Sequence, residues 1–189
     1  MDGIIELMIR ALFILMLACC LTWFPSITGA VDGNFTLTTT AFPNGGQIPE
    51  QYTCKGADTN PLLLIDNTPR NARSLVLTVV EPDNPITPWT HWLVFNINPD
   101  ISKIKPGDVP GTQALNDFGN FYYGGPCAFD AKKHHFIFTV YALSDALDEV
   151  TEGATRDVVE KAMRGKIIDK AVLVGIYQNP LWGKDEPPL

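Results

Sequence analysis

Five runs of apolar, β-branched or aromatic residues alternate along the chain with segments rich in proline and glycine. Short runs bounded in this way predict β-strands. Four strongly apolar runs are predicted as strands, at residues 75–80, 92–97, 136–143 and 171–177. Several of these runs are apolar at both alternating positions, which is typical of strands buried between the layers of a sandwich. An earlier run, residues 35–40, alternates Phe and Leu with Thr and predicts a half-exposed strand.

One segment, residues 155–164, carries a convincing helical pattern. Thr155 is expected to cap its N-terminus, Asp157 lies in its first turn, and Gly165 is expected to end it. Its predicted apolar face consists of Val158, Val159, Ala162 and Met163. The chain is therefore expected to be mainly β, with long loops in which a binding site is expected.

The first thirty residues differ in composition from the rest of the chain. From residue 11 to residue 24 every side chain is apolar except the Thr22 hydroxyl, and the leader ends in the small residues Thr28, Gly29 and Ala30. The run is short for a transmembrane helix, which needs about 20 apolar residues. The pattern predicts a signal peptide over residues 1–30, a single domain over residues 31–189, and export to the periplasm or the exterior.

Two alternatives stay open for this leader. Asp2 and Glu6 are unusual in a signal peptide, and a start at Met8 would remove both. The cysteines Cys19 and Cys20 follow an alanine and weakly resemble a lipoprotein cleavage box. Anchorage through a lipid on one of these cysteines is the alternative localisation.

Composition and charge narrow the class of protein. The 189 residues are 46% hydrophobic, which is enough for one domain with a buried core. The formal net charge is -7 without any basic stripe, which excludes attraction to nucleic acid. Outside the predicted signal peptide only Cys54 and Cys127 remain. An isolated pair in an exported chain is a candidate disulfide, with two buried free thiols as the alternative.

Polar residues of three segments lie at the ends of predicted strands. Residues 81–85 follow one strand, and residues 89–92, which contain His91, open the next. Residues 123–127 are glycine-rich and precede His134 at the start of another strand. Prolines stiffen the first segment, as a preformed site requires, and glycines in the third allow a ligand to approach the backbone.

From residue 42 to residue 177 the chain resembles the phosphatidylethanolamine-binding protein family, in particular its bacterial and archaeal branch described as Raf-kinase-inhibitor-like. The matching segments are residues 42–49, 54–62, Pro82-Asp83 with Pro85, 89–92, 116–119, 124–127, His134 and 140–143. The resemblance implies a Greek-key antiparallel β-sandwich with a few short helices. It also implies one small pocket that takes phosphate-like groups.

The resemblance assigns the residues of this pocket. The family pattern D-P-D-x-P, W-x-H, G-P and H-R-Y falls here on Glu81, Asp83, Trp89, His91, Gly125, Pro126, His134 and Phe136. Tyr123, at the start of the glycine segment, is a further candidate. Glu81 replaces an aspartate, and its longer side chain is expected to leave the pocket floor. Phe136 replaces a tyrosine, which removes one anion contact. His135 is left out, because successive strand residues point to opposite faces.

A pocket built around Asp83, His91 and His134 has a physical rationale. A carboxylate close to an imidazole favours the charged imidazole, which can donate to a phosphate oxygen. Backbone N–H groups near Gly125 would add donors. The carboxylates can accept from an ammonium, so a zwitterionic phosphoethanolamine head group would find a partner at each end.

The sequence therefore predicts a non-enzymatic protein without a cofactor, which binds a phosphate or phospholipid head group. A protein partner such as a kinase or a protease is a further expectation, although a fold does not determine a function. One alternative is a metal-assisted hydrolase in which Asp83, His91 and His134 hold zinc, although the sequence contains neither H-E-x-x-H nor G-x-S-x-G. Another alternative is an interaction module with an empty pocket.

Overall fold

The computed structural model describes residues 33–84, 86–128 and 130–179. The predicted signal peptide and both alternatives for the leader lie outside the described residues. Within the described parts of the chain, no helix is long and apolar enough to span a membrane.

Nine strands and one helix carry the regular structure of the described residues. The strands are β1 Thr36–Thr38, β2 Gly46–Gln47, β3 Leu63–Asp66, β4 Ser74–Glu81, β5 Trp89–Ile97, β6 Lys103–Ile104, β7 Thr112–Gln113, β8 His134–Leu143 and β9 Ile167–Tyr177. The helix α1 spans Arg156–Met163, and a 3-10 turn spans Glu50–Tyr52. Each of the five predicted strands coincides with an observed strand.

The strands form two sheets. The smaller sheet has the order β1-β3-β6, and the larger sheet has the order β2-β9-β8-β4-β5-β7. The four long strands of the larger sheet pair antiparallel, whereas the short edge strand β2 pairs parallel with β9. The predicted mainly β fold is confirmed, with this parallel edge as a local exception to the antiparallel pattern.

The larger sheet is buried on both faces. On one face, Leu75 and Leu77 of β4 belong to an apolar cluster that includes Ile65 of the smaller sheet. On the other face, Val76 belongs to a second cluster that includes Val159 of α1. Because successive residues of a strand point to opposite faces, a strand covered on both sides is apolar at consecutive positions. This burial explains the continuous apolar runs in the sequence.

Helix α1 differs from its prediction in two details. Thr155 occupies the N-cap position, but its side chain makes no capping hydrogen bond. Val159 and Met163 are buried, whereas Val158 is 49% exposed. Residues four apart share one helix face, while adjacent residues do not, so the buried face is narrower than predicted. Gly165 follows the helix with φ of 77°, which confirms it as the stop.

The candidate disulfide between Cys54 and Cys127 is present in the structure, with 5.4 Å between the two Cα atoms. The alternative of two free thiols is therefore wrong. The bond joins the segment after the 3-10 turn to the loop before β8. It ties together two loops that are 73 residues apart in the chain.

Candidate functional site

At one edge of the larger sheet, strand β4 ends and its two neighbours, β5 and β8, begin. Strand β4 lies between β8 and β5 and runs antiparallel to both. The last residue of β4, Glu81, therefore lies close to the first residues of its neighbours, Trp89 and His134. The chemistry-bearing segments that the sequence indicates at strand ends meet here.

A cavity of about 260 Å³ opens at this place. Its polar lining consists of Glu81, Asn84, His91, Asp130 and His134, and the rest of its wall is formed by Ile86, Trp89, Phe118, Cys127 and Ala128. The volume is below the range of about 300 to 1,000 Å³ that is typical of pockets for drug-sized ligands. The cavity therefore suits a small polar group rather than a large ligand.

His91 is directed into the cavity by a β-bulge. The pairing of β4 with β5 shifts between Val79 and Val80, which leaves His91 as the extra residue of β5. Bulges take one residue out of the regular pairing and redirect its side chain. The ring then packs edge-on against Phe136 at 4.9 Å and Phe118 at 5.2 Å between ring centroids. A backbone irregularity and two aromatic rings thus hold this imidazole.

Glu81 lies at the centre of the site, with its side chain only 8% exposed. Its Oε2 is 3.3 Å from Nε2 of His91, and its Oε1 is 2.5 Å from Nδ1 of His134. The expectation that Glu81 leaves the pocket floor is therefore wrong. This one carboxylate lies between two imidazoles and contacts both.

The remaining ring nitrogens also face oxygen acceptors. Nδ1 of His91 donates to the carbonyl oxygen of Gly124 at 2.7 Å, and Nε2 of His134 is 2.8 Å from Oδ1 of Asp130. A neutral imidazole carries only one N–H, so two neutral rings supply two of the four donors that these contacts need. The cluster is fully hydrogen-bonded only when it binds two more protons.

Three pKa shifts favour a charged His134 between two carboxylates. Burial raises the pKa of Glu81, but hydrogen bonds and charges from His91 and His134 outweigh it and lower the pKa overall. Burial lowers the pKa of His134, but hydrogen bonds to Asp130 and Glu81, together with their charges, raise it overall. The hydrogen bond from His134 is the main cause that lowers the pKa of Asp130.

We expect His134 to titrate above its ordinary pKa of 6.5, and we expect the Asp130→Asn variant to bring that pKa back down. The variant removes a negative acceptor, which disfavours the imidazolium. NMR titration of the histidine ring protons measures the change. Asp145→Asn, an exposed carboxylate at the other end of β8, is the matched control. An unchanged His134 titration in Asp130→Asn would contradict the pairing.

The same shifts determine how stability depends on pH. The contribution of His134 is complete below its ordinary pKa of 6.5 and is lost as pH rises through its raised pKa. The contributions of Glu81 and Asp130 are present above their ordinary pKa values of 4.5 and 3.8 and are lost as pH falls through the lowered values. The cluster therefore stabilises the fold most between pH 4.5, the ordinary pKa of Glu81, and pH 6.5, the ordinary pKa of His134.

Asp83 lies outside this cluster. Its Oδ2 accepts hydrogen bonds from the backbone N–H of His135 at 2.6 Å and from Nδ1 of the same residue at 2.7 Å. Both side chains are substantially exposed. His134 is buried and His135 is exposed, as the strand alternation predicts. The carboxylate that the sequence analysis expected beside the pocket histidines is therefore Glu81 rather than Asp83, because the strand ends at Glu81 and the chain then turns away.

The alternative of a metal-assisted hydrolase requires Asp83, His91 and His134 to converge on a metal ion. In the structure Asp83 is paired with His135, while the other two histidines share Glu81. Across residues 33–84, 86–128 and 130–179, no group of three or more His, Cys, Asp or Glu side chains is arranged to hold a metal ion.

The glycine segment supports the cavity wall from behind. The N–H of Gly125, expected to serve an anion, donates to Oδ1 of Asp58 at 2.6 Å. A Cβ at Gly125 would lie 2.4 Å from that oxygen, so the glycine permits the close approach of two loops rather than of a ligand. The carbonyl oxygen of Pro126 accepts from the N–H of Cys54 at 3.2 Å.

Two predicted aromatic residues also lie behind the cavity. The Tyr123 hydroxyl donates to the carbonyl oxygen of Tyr52 at 3.0 Å, and burial raises the pKa of Tyr123. Phe136 is fully buried against the ring of His91. Of the nine predicted ligand residues, four line the cavity, namely Glu81, Trp89, His91 and His134. The five that do not are Asp83, Tyr123, Gly125, Pro126 and Phe136. For all nine residues, a role in ligand binding stays a prediction.

Six of the described residues that line the cavity are not among the predicted ligand residues, and Asp130 and Phe118 are two of them. Asp130 precedes His134 by four residues, and an acidic residue so close to a predicted site histidine is the signal that was available. Asn116 accepts hydrogen bonds from the N–H groups of Phe118 at 3.1 Å and Asn120 at 2.9 Å and donates to the Tyr122 carbonyl oxygen at 2.8 Å. This amide holds Phe118 at the cavity.

Comparisons with known proteins identify the family of the chain. The family model described as phosphatidylethanolamine-binding protein matches residues 38–178. A UPF0098 protein of Pyrococcus abyssi is 43% identical over 148 residues, which are 73% of this chain and 82% of the relative. A UPF0098 protein of Pyrococcus horikoshii is 37% identical over 189 residues, which are 95% of this chain and 91% of the relative.

Solved structures show the same relationship. A putative phosphatidylethanolamine-binding protein homolog from Chlamydia trachomatis superposes with a TM-score of 0.73 at 38% identity and covers 77% of this chain and 97% of its own. YbcL of E. coli, described as a new member of the mammalian family, superposes with a TM-score of 0.72 at 26% identity and covers 78% of this chain and 99% of its own. The family model, the relatives and the fold agree, and the chain belongs to the phosphatidylethanolamine-binding protein family.

Proposed function

We propose that the protein binds, without catalysing a reaction, a small zwitterionic phosphate ester of the phosphoethanolamine type in the cavity at Glu81. The observation that carries the proposal is the cluster of two imidazoles and two carboxylates in one cavity of about 260 Å³. Imidazolium groups donate to phosphate oxygens, and carboxylates accept from an ammonium. A ligand with both charges has a partner at each end.

Asp130 provides a route for the phosphate. Its carboxylate accepts from Nε2 of His134 and is 38% exposed, whereas Glu81 is buried below. A phosphate oxygen can replace this carboxylate at the His134 N–H and keep the imidazolium paired. The displaced Asp130 is then available to the ligand's ammonium.

The aromatic wall suits the cationic end of such a ligand. Trp89 and Phe118 pack edge-to-face with 5.6 Å between their ring centroids, and both line the cavity. A cation close to the face of a tryptophan is attracted by the ring quadrupole. The wall therefore favours an ammonium over a neutral group of similar size.

We expect calorimetric titration to show saturable binding of phosphoethanolamine and weaker binding of inorganic phosphate and of ethanolamine. His134→Gln should weaken phosphoethanolamine binding by about 10- to 100-fold, because it removes a charged hydrogen-bond donor. His135→Gln, the exposed neighbour outside the cavity, is the matched control and should keep the affinity. Asp83→Asn tests whether Asp83 also contributes.

Two results would contradict the proposal. One is the absence of saturable binding by protein that NMR shows to be folded, which would favour the interaction-module alternative. The other is binding that His134→Gln leaves unchanged, which would place the ligand elsewhere.

A further inference from the structure

A second cavity lies at the N-terminus of α1, on the other face of the larger sheet. Its volume is about 380 Å³. Its polar lining consists of Thr87, Thr90, Asp117, Thr155, Arg156 and Asp157. Trp89 and His91 line the first cavity, whereas Thr90 between them lines the second. Because successive strand residues point to opposite faces, the two cavities open on opposite faces of the sheet.

The hydroxyl group of Thr90 is buried without a hydrogen-bond partner. Thr90 is 0% exposed, and among the described residues its Oγ1 is the one buried side-chain nitrogen or oxygen atom that makes no hydrogen bond. Thr90 pairs with Val80 of β4. The adjacent Val79 belongs to the apolar cluster of the opposite face, so Val80 and Thr90 point towards α1. A buried hydroxyl without a partner costs free energy, and in this cavity it indicates a place for a bound polar group.

The N-terminus of α1 brings further donors to the second cavity. The first N–H groups of a helix have no partner within the helix, and the Thr155 side chain at the N-cap makes no capping hydrogen bond. The N–H groups of Arg156 and Asp157, the first two residues of α1, therefore face this end of the helix. Nε of Arg156 donates to Oε1 of Glu160 at 2.6 Å, and its guanidinium carries more donors on its terminal nitrogens. A helix N-terminus beside a guanidinium favours a carboxylate.

Two carboxylates bring the opposite charge to the same cavity. Oδ2 of Asp117 accepts from the N–H of Thr90 at 2.6 Å, and the N–H of Asp117 donates to the carbonyl oxygen of Thr90 at 3.0 Å. These two bonds hold the carboxylate of Asp117 next to Thr90, and a carboxylate can accept several hydrogen bonds. Asp157 adds a second carboxylate in the first turn of α1. An ammonium group therefore has acceptors in this cavity.

The mixture of charges selects the class of ligand. Asp117 and Asp157 would repel a purely anionic ligand, and Arg156 with the helix N-terminus would repel a simple cation. Among the described residues no aromatic side chain lines this cavity, in contrast to the first one. Its volume lies within the range of about 300 to 1,000 Å³ that is typical of small-molecule sites. A small molecule with both a carboxylate and an ammonium group fits this lining.

We propose that the second cavity binds a free amino acid in its zwitterionic form. The carboxylate of the amino acid binds at the N-terminus of α1 and Arg156, and its ammonium group binds Asp117. The Thr90 hydroxyl gains its missing hydrogen bond from the ligand. This site does not depend on the function proposed for the cavity at Glu81.

The test is an NMR titration of the isotope-labelled protein with L-alanine. The backbone amide signals of Arg156 and Asp157 should shift saturably. Acetate and methylammonium, which each carry one of the two charges, should bind about 10-fold more weakly or less. Arg156→Gln should weaken L-alanine binding by about 10-fold or more, because it removes a charged donor. Arg164→Gln, at the other end of α1, is the matched control and should keep the affinity.

The Thr90→Val variant gives two readouts of opposite sign. It replaces the hydroxyl by a methyl group of similar shape, so it should weaken L-alanine binding by about 3- to 10-fold. Without ligand it should unfold at a higher urea concentration than wild type, because it removes a buried hydroxyl that has no partner. Thr53→Val is the matched control, because the buried Thr53 hydroxyl donates to the Glu50 carbonyl oxygen at 2.8 Å. This control should unfold at a lower urea concentration.

Three results would overturn the proposal. The first is the absence of saturable shifts at Arg156 and Asp157 in folded protein. The second is binding of acetate or methylammonium as tightly as L-alanine, and the third is L-alanine binding that Thr90→Val leaves unchanged. Arg156→Gln should keep the affinity for phosphoethanolamine, so failure at one cavity is distinguishable from failure at the other.

Discussion

Replacing Cys54 and Cys127 together by alanine should lower the free energy of unfolding by about 4 kcal/mol. The bond closes a loop of 73 residues, and the chain-entropy model gives a value of this size for such a loop. Urea unfolding of wild type and variant measures the difference. The reduced wild type should behave like the variant, and the variant should be insensitive to a dithiol reductant.

The disulfide also belongs to the wall of the cavity. Cys127 lines the cavity, and Asp130 follows in the same loop. We therefore expect phosphoethanolamine binding to weaken along with stability. An unfolding midpoint that is the same in oxidised and reduced protein would contradict a stabilising role for the bond.

The second large effect is expected for Glu81→Ala, which should lower the free energy of unfolding by about 3 to 5 kcal/mol. The side chain of Glu81 is 8% exposed and is the partner of His91, 2% exposed, and of His134, 9% exposed. Removing it leaves two buried ring nitrogens without their acceptor, and a buried charge without its partner costs several kcal/mol. Urea unfolding at pH 6 tests this where the charged form of His134 is favoured.

Two further variants separate charge from volume. Glu81→Gln keeps the shape, and its carbonyl oxygen can accept from one ring while its amide opposes the other, so a loss of about 1 to 3 kcal/mol is expected. Glu152→Ala removes an exposed carboxylate far along the chain and should change stability by less than about 0.5 kcal/mol. A Glu81→Ala variant as stable as the Glu152→Ala control would show that the cluster does not stabilise the fold.

The cluster links stability to ligand binding. Its hydrogen bonds need four ring N–H donors, and Asp130 supplies the most exposed of its acceptors. A phosphate at that position leaves the number of donors unchanged. Binding therefore leaves no buried charge without a partner. An unpaired buried charge would otherwise be the largest free-energy cost of binding at such a site.

The four long strands of the larger sheet could be predicted from the sequence, because burial on both faces leaves a long apolar run. The short strands β2, β3, β6 and β7 were not predicted. The predicted ends were less accurate at the site. Strand β5 begins at Trp89, three residues before the predicted start, because Thr90 and His91 are polar but buried. Strand β8 likewise begins at His134 rather than at Phe136. Polar residues at the ends of these strands belong to the site, where the apolar pattern gives no signal.

The sequence by itself determined the mainly β class, the positions of the long strands and the family, together with two histidines that line the cavity. Only the tertiary structure decided that Glu81 rather than Asp83 pairs with those histidines, and that Asp130 completes the cluster. The physical reason is that an apolar pattern records which face of an element is buried. Which carboxylate meets which imidazole depends on a bulge, a turn and contacts between residues as far as 53 positions apart.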